Sequence, residues 1–273
     1  MNKNILILGK GFIGERLRKE LDCAIDGSII NCFSDAEKLV KKYDPKIIIN
    51  CIGITGRRNV DDCELEKDAT LLANSFVPVI LAEICLRNNI KLVHISSGCI
   101  FNYDYKKNKP IKEASRDYFF KLFYSRSKIY ADRPLESLAQ DYDILILRIR
   151  IPLSDARHPK NLLDKLIKYK KVIDLPNSVT YIPDFVRAIK HLIKINARGV
   201  YQIVNKGSLR YPKLMQVYQR YVPSFKYTVI DLAQTGLVRT NLLLSTAKLE
   251  KSGFKVRDIN SVLEECVKGY LKS

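Results

Sequence analysis

The sequence predicts an α/β chain: a doubly wound parallel sheet covered by helices, with a smaller C-terminal lobe interleaved with it. Three observations lead there. Short apolar runs alternate with helical patterns through the first half of the chain. Those runs are continuous, as in strands buried on both faces, instead of alternating apolar and polar. The first of them ends in Gly9-Lys10-Gly11-Phe12-Ile13-Gly14, a glycine pattern whose place is between a strand and a helix.

Asn4 to Leu8 (NILIL) reads as the first strand, and a helical pattern runs from Glu15 to Leu21 beyond the glycines. Gly9 allows a tight turn, Gly11 lets the backbone approach a pyrophosphate, and Gly14 lets helix pack on strand. The helix N-terminus offers its free N–H groups to the phosphates. Residues 9–14, Phe12 and Ile13 included, are therefore expected to hold a dinucleotide. Asp26, closing the short stretch Cys23–Asp26, is the nearest acid for a ribose 2′-hydroxyl, but its strand is poorly defined. Lys10 favours a 2′-phosphate instead. NADPH is the expected cofactor, with NADH the alternative.

Asp35 to Tyr43 reads as a helix, Lys46 to Asn50 (KIIIN) as a strand, and Cys51-Ile52-Gly53 as a turn. Cys51 and Gly53 join the expected cofactor edge. Leu65 to Asn88 carries a long helical pattern that Pro78 kinks or breaks. Lys91 to Ser96 is the next strand, Tyr124 to Leu138 a helix with an irregularity at Pro134, and Ile144 to Arg150 another strand. Ligands bind at the carboxyl ends of such strands. Gly9, Gly53, Ser97 and Cys99 all follow strands, so they are expected along one edge. Helices are expected at 161–169, 183–196, 211–221 and 259–271, with a strand at 199–205 (GVYQIVN). No repeat, low-complexity tract or Ser/Gly linker interrupts the chain. The expected organisation is a nucleotide-binding domain at 1–150, to which 177–205 returns, and a substrate lobe from 151–176 and 206–273.

The chemistry concentrates near Tyr124. Tyr124 and Lys128 are four apart, so a helix projects both from one face. An ammonium beside a phenol favours phenolate, which draws the tyrosine from its usual value of about 10 toward neutrality, where it can trade protons. Ser97, at a strand tip, can add a hydroxyl, and Cys99 a thiol as a second proton-transfer group. With 15 Tyr and 47 Lys plus Arg in the chain, such a pair alone reads as a solvated helix face, and a lone cysteine as a small buried hydrophobe. The glycine loop and strand order upstream select the catalytic reading.

Composition bounds the rest. The chain has 273 residues, 47% apolar and 28% charged, the make-up of a soluble globular protein. No apolar stretch approaches the roughly 18 residues of a membrane span. The opening MNKNILILGKG leaves no room for a removable signal peptide. The seven cysteines, at 23, 32, 51, 63, 85, 99 and 266, are odd in number and lack metal spacing, which fits reduced thiols in the cytoplasm. His94, His158 and His191 are isolated, so no metal site is expected. The net charge of +18 is spread over helices and loops, densest at Lys106-Lys107-Asn108-Lys109. No nucleic-acid partner is expected from it, since a positive field also speeds encounter with an anionic substrate.

With these residues in hand, the chain resembles the extended short-chain dehydrogenase/reductases, specifically their dTDP-4-dehydrorhamnose reductase branch. Within that branch it is similar to the bifunctional nucleotide-sugar 3,5-epimerase/4-reductases that complete UDP-L-rhamnose synthesis in plants and some large DNA viruses. The resembling segments are Gly9–Gly14, Asn50-Cys-Ile-Gly-Ile-Thr-Gly-Arg57 with Asn59-Val-Asp61 and Cys63-Glu64, and Ser97-Gly-Cys-Ile-Phe101. They continue through Tyr124–Lys128, Leu147-Arg-Ile-Arg-Ile-Pro152, Pro159-Lys-Asn161 with Lys165, and Leu175-Pro-Asn-Ser178. The T-G-R, S-G-C-I-F and R-I-R-I-P strings are specific to the branch, whereas the glycine loop and Y-x-x-x-K mark the superfamily.

The resemblance implies a Rossmann-like fold, a reductase triad of Ser97, Tyr124 and Lys128, and an epimerase acid/base pair of Cys99 and Lys165. The family commonly has Thr where Ser97 stands, and simple reductases carry an aspartate-containing motif where this chain has Ser97-Gly-Cys99. The glycine segment also departs from the plant form's spacing. Thr55, Arg57, Asn161 and Arg239 are the expected substrate contacts; a helix N-cap competes for Asn161, and solvent for Arg57. Arg148 and Arg150 flank a buried-looking strand, where a structural ion pair is expected of at least one. The expected reaction is NADPH-dependent conversion of a UDP-4-keto-6-deoxy-hexose to its L-rhamnose-type sugar. Alternatives are a 2-acetamido analogue, a GDP- or dTDP-linked sugar, a catalytically silent NADP(H)-binding regulatory subunit, and a nucleic-acid-associated dehydrogenase fold. The reading admits a homodimer, expects no membrane partner, and places a viral version in the host cytoplasm.

Overall fold

The computed structural model describes residues 2–104, 106 and 109–273. Of the basic run 106–109, residues 107 and 108 lie outside the described residues. The chain opens with β1 (Asn2–Leu8), α1 (Phe12–Leu21), β2 (Cys23–Asp26), α2 (Phe33–Tyr43) and β3 (Ile47–Asn50). A 3₁₀ turn at Val60–Glu64 leads to α3 (Lys67–Leu71), a π-helical turn at Leu72–Phe76, α4 (Val77–Arg87) and β4 (Lys91–Ser97). Next come α5 (Phe123–Leu138), β5 (Ile144–Ile149), β6 (Pro152–Leu153), α6 (Leu162–Tyr169), β7 (Lys171–Ile173) and β8 (Thr180–Tyr181). The remainder is α7 (Ile182–Lys194), β9 (Gly199–Ile203), α8 (Tyr211–Tyr221), β10 (Thr228–Ile230), α9 (Ala247–Lys251) and α10 (Leu263–Lys272).

Six strands form one sheet in the order β2-β1-β3-β4-β5-β9. β1 pairs in parallel with β2 and β3, and β3 with β4. The chain leaves β1 for β2 on one side and reaches β3 on the other, the topological switch at which open α/β sheets bind ligands. Register matters here. Leu8 lies opposite Asn50, and Asn50 opposite His94, so the carboxyl ends of β1 and β3 are level and β4 runs three residues past them. Cys23–Asp26, ill-defined as a strand in the sequence, is held by this pairing.

The chain divides into two compact units. The first comprises residues 1–100, 118–148 and 196–201. Its core joins Leu6, Leu8, Ile48, Leu81, Leu92 and Ile146, each at most 1% exposed. Within it, α3, the π turn and α4 make one run, Lys67–Arg87, and the break expected at Pro78 falls where the π turn gives way to α4. Pro78 falls in the first turn of α4, where a missing N–H is tolerated. Among the described residues this is the one helix long and apolar enough to cross a membrane, and 56% of its apolar window is buried inside the protein. The count of uninterrupted apolar residues did not anticipate it.

The second unit comprises residues 101–117, 149–195 and 202–273. Leu153, Leu163, Tyr181, Leu214, Ile259 and Val267 centre its core, all fully buried. Two small parallel pairings, β7 with β10 and β6 with β8, brace it. Strands of two or three residues carry no periodicity, which is why the sequence pattern passed over them.

Removing the Leu6 side chain tests the core of the first unit. Leu6→Ala should cost about 2–5 kcal/mol through lost burial and the cavity left behind. The urea midpoint should fall without a change in slope; an unchanged midpoint would show that this strand carries little of the fold.

Candidate active site

Glycine builds the nucleotide edge. Gly9 follows β1 with φ +101, and a Cβ there would stand 2.9 Å from the Cys51 carbonyl carbon. A Cβ on Gly14 would fall 1.9 Å from the Gly9 carbonyl oxygen, so only hydrogen lets α1 settle onto the loop. A Cβ on Gly11, in contrast, meets nothing within 4 Å. Gly11 caps α1 without any side-chain hydrogen bond, leaving the leading N–H groups directed outward from the loop. Phe12 and Ile13 are half-buried at this helix start, and Lys10 is exposed with its methylenes against Gly27. The residues fit a dinucleotide diphosphate: a cradle that Cβ atoms would fill, closed by an uncapped helix N-terminus.

Asp26 does not serve as sequence order suggested. It ends β2 at 8% exposure, accepting hydrogen bonds from Ser28 N–H at 2.8 Å, Tyr43 hydroxyl at 2.9 Å and Lys42 ammonium at 3.4 Å. Burial opposes ionisation, but these bonds outweigh it and hold the carboxyl at about 2. The carboxylate is committed to α2 and its own loop.

The reactive side chains meet at the ends of β3 and β4. Tyr124 and Lys128 lie on one face of α5, 7% and 4% exposed. Ser97, the last residue of β4, hydrogen-bonds to the Tyr124 phenol. Cys99 packs against the small cluster formed by Cys63, Phe123 and Tyr124. Lys128 Nζ reaches the turn after β3, where a Cβ on Gly53 would stand 3.1 Å from it. Thus Ser97, Cys99, Tyr124, Lys128 and Gly53 come together, with Cys51 beside them; burial pushes the Cys51 thiol up to about 12.

One expectation is overturned. Lys128 does not draw the phenol toward neutrality: burial, then the neighbouring Cys99, pushes Tyr124 above its usual value, while the Ser97 hydrogen bond only partly opposes them. Desolvation penalises whichever form is charged, and it is the largest influence on this phenol. Tyr124 is therefore a phenol at neutral pH, a proton donor. Burial also lowers Lys128, to about 8, against the pull of Asp132, Cys63 and Cys51.

Residues that the sequence pattern did not single out hold this cluster. Asn74, fully buried in the π turn, accepts from Ile54 N–H at 2.9 Å and donates to Ile54 C=O at 2.9 Å and to Ser127 Oγ at 3.0 Å. Ser127 in turn donates to the Tyr124 carbonyl at 2.8 Å. The post-β3 turn is thereby fastened to the helix bearing Tyr124. Beneath Lys128, Asp132 accepts from Ser96 Oγ at 2.5 Å and from Arg148 Nε at 2.9 Å, and Arg148 also pairs with Glu136. This is the structural ion pair expected of the arginine strand. Glu64 accepts the Phe123 N–H at 2.9 Å, capping α5 from the 3₁₀ turn. An asparagine inside an apolar helical run was the available signal for Asn74; nothing local marked Glu64.

The other expected residues have surroundings of their own. Thr55 is exposed, and Arg57, 86% exposed, pairs with Glu66 at 2.9 Å. Asn161, Lys165 and Arg239 belong to the second unit. Asn161 is fully buried. Its Oδ1 accepts from Ser154 and Leu163 N–H, and its Nδ2 donates to the Ser154 and Ala156 carbonyls. Every polar atom of that amide is used on backbone, so the substrate contact expected of Asn161 gives way to an N-cap of α6. Lys165 lies one turn into α6, lowered first by burial and then by Lys160 and Arg239. Arg239 is half-buried, with Nη1 on the Val238 carbonyl at 2.6 Å. Arg150, 2% exposed, is spent on Asn177 and Thr240.

Residues 3–211 match the model of the RmlD substrate binding domain. The chain belongs to that family. It is 32% identical over 286 residues to a bifunctional dTDP-4-dehydrorhamnose 3,5-epimerase/dTDP-4-dehydrorhamnose reductase of Arabidopsis thaliana, covering 97% of this chain and 91% of that protein. It is 31% identical over 223 residues to an Arabidopsis trifunctional UDP-glucose 4,6-dehydratase/UDP-4-keto-6-deoxy-D-glucose 3,5-epimerase/UDP-4-keto-L-rhamnose-reductase, covering 78% of this chain. The match spans only 33% of that relative's length. Among solved structures, a UDP-rhamnose synthase of Acanthamoeba polyphaga mimivirus aligns with a TM-score of 0.90 at 24% identity, covering 97% of this chain and 99% of that one. A Bacillus anthracis dTDP-4-dehydrorhamnose reductase in complex with NADP aligns at 0.83 and 21%, covering 100% and 99%. At these identities the structural likenesses bear on fold: the Rossmann-like sheet is that of this family's reductases.

Buried Lys128 makes stability depend on pH in a defined sense. It keeps its proton to about 8 in the folded chain and to roughly 10.4 unfolded. Between those values the unfolded chain binds more protons, so this group's contribution to stability rises with pH. Lys128→Met should be the more stable protein below pH 8, by about 3 kcal/mol at most, and the gap should close toward pH 10.5. Denaturant midpoints across that range measure it; a gap that stays constant would mean that the ammonium is not desolvated.

Proposed function

We propose that this chain is an NADPH-dependent nucleotide-sugar enzyme that epimerises a 4-keto-6-deoxy-hexose at C3 and C5 and reduces it at C4, with a UDP-linked sugar as substrate. Reduction of a 4-keto sugar for rhamnose synthesis is the common ground of the names of the Arabidopsis relatives; the epimerase half and the UDP group are the finer reading. The observation that carries the proposal is the convergence of Ser97, Cys99, Tyr124 and Lys128 around one phenol.

Residues 9–14 and the Cys51–Gly53 turn would hold the dinucleotide, its diphosphate at the start of α1. Exposed Lys10 suits a 2′-phosphate, and Asp26, already bound by Lys42 and Tyr43, offers no competing ribose contact. When bound, NADPH supplies the hydride for C4.

The chain's own residues do the rest. A ketone at C4 acidifies the hydrogens on C3 and C5, since removing either gives an enolate delocalised onto O4. Tyr124 and Ser97 hydroxyls aimed at O4 stabilise that oxyanion. Cys99 and Lys165 are the proposed proton-transfer pair at the two carbons; burial lowers the Lys165 pKa, which favours the neutral amine that can accept a proton. Tyr124, neutral at working pH, then donates its proton to O4 as C4 is reduced, and the Lys128 ammonium stabilises the phenolate left behind. One grip on O4 thus serves both reactions.

The test is incubation with NADPH and a panel of UDP-, dTDP- and GDP-linked 4-keto-6-deoxy sugars, with product stereochemistry read by NMR. A UDP-linked L-rhamnose-type product is expected. A D-configured 6-deoxy product would remove the epimerase half, and no reduction of any sugar would remove the enzyme. Tyr124→Phe should lower reduction by about a hundredfold or more while NADPH binding stays near that of the parent; near-normal turnover would break the triad. Cys99→Ala should stop incorporation of deuterium from solvent at C3 and C5, and unchanged incorporation would exclude the thiol.

A further inference from the structure

Ser125, immediately after Tyr124, plays no part in the chemistry above, and it is completely buried. Its hydroxyl donates to the backbone carbonyl of Cys99 at 2.6 Å, across 26 positions of sequence. A serine in the first turn of a helix ordinarily bonds its own backbone; this one reaches out of α5 to the segment after β4. On the other side of the same residue, the Cys99 N–H donates to Ser97 Oγ at 3.0 Å. Both backbone groups of Cys99 are therefore taken, one by the serine that hydrogen-bonds to the Tyr124 phenol and one by the serine next to Tyr124 in α5. The thiol is not mounted on a free loop. It is suspended between the two elements that carry the O4 grip.

We propose that Ser125 is the positioning residue for Cys99, selective for epimerisation over reduction. The proposal rests on the assignment of Cys99 to proton transfer. Reduction needs Tyr124, Ser97 and Lys128, and these keep anchors of their own: Ser127 donates to the Tyr124 carbonyl at 2.8 Å, and Asn74 ties Ser127 to the post-β3 turn. Proton transfer at a ring carbon is the step that depends on the placement of Cys99, because the sulfur must lie in line with that carbon; a displacement near 1 Å costs about a hundredfold. Without the Ser125 hydroxyl, the Cys99 carbonyl loses its buried donor, and the segment carrying the thiol is released on one side. The chemistry makes Ser125 a determinant of reaction scope, since it separates an epimerase/reductase from a reductase without touching substrate.

Ser125→Ala is the test, with Ser125→Gly beside it in case alanine packs poorly, and Cys99→Ala as reference. Two rates are read on each protein: deuterium incorporation at C3 and C5 of UDP-4-keto-6-deoxy-glucose, and NADPH oxidation with UDP-4-keto-L-rhamnose, already epimerised. Ser125→Ala or Ser125→Gly should slow incorporation by about tenfold or more and leave reduction within about threefold. Incorporation unchanged in both Ser125 variants, but lost in Cys99→Ala, overturns the positioning role and leaves Cys99 in place. Equal loss of both rates overturns it too, by showing that Ser125 merely holds α5. Incorporation that survives Cys99→Ala overturns the underlying assignment of the thiol instead.

Discussion

Desolvation of one ammonium, Lys128, is the constraint on which the first unit depends. A lysine that is 4% exposed costs free energy unless its surroundings compensate, and its protonation falls to about 8 despite a nearby carboxylate. Much of the local architecture answers to that cost. Asp132 supplies the compensating charge, and it is itself compensated by Arg148 and Ser96. Gly53 leaves room for the Nζ, and Asn74 fixes the turn that Gly53 belongs to. A buried charge kept in this way is weak evidence of stability. It is better evidence of a site at which charge has work to do.

The same desolvation sets the roles of the two hydroxyls. In a polar cleft an ammonium four residues away would hold the tyrosine partly ionised. In this one, burial keeps Tyr124 protonated, so its proposed task is to give a proton and to stabilise developing charge. The phenolate arises only when O4 takes the proton, at the moment when the nearby cation has most to offer. A donor that is strong only against the transition state spends nothing on the ground state.

Backbone hydrogen bonds from side chains hold the site together more than side-chain pairs do. Ser125, Asn74 and Glu64 each bind a backbone group of another segment, while Ser97 and Ser127 bind backbone two or three residues away. Such bonds place whole segments instead of single side chains, and they tie the turn after β3 and the turn after β4 to α5. Asn161 does the same in the second unit, where its amide ties the loop before α6 to the first turn of that helix.

The sequence by itself determined the alternation of strands and helices, the glycine loop, and Ser97, Tyr124 and Lys128, because each is a local pattern. Continuous apolar runs mean buried strands, three glycines at set spacing mean a close backbone approach, and a spacing of four means one helix face. Cys99 was marked by its place just past a strand tip, but its pairing with Lys165, and Lys165 itself, were legible only through likeness to a family. Tertiary structure alone decided that Asp26 is occupied by α2 and that Asn161 is a cap. It also set the direction of the Tyr124 shift, and it joined Asn74, Glu64 and Ser125 to segments 20, 59 and 26 positions away. The physical reason is common to all of these. Burial and long-range hydrogen bonding depend on which segments pack together, and neither leaves a periodic mark on the residues that supply them.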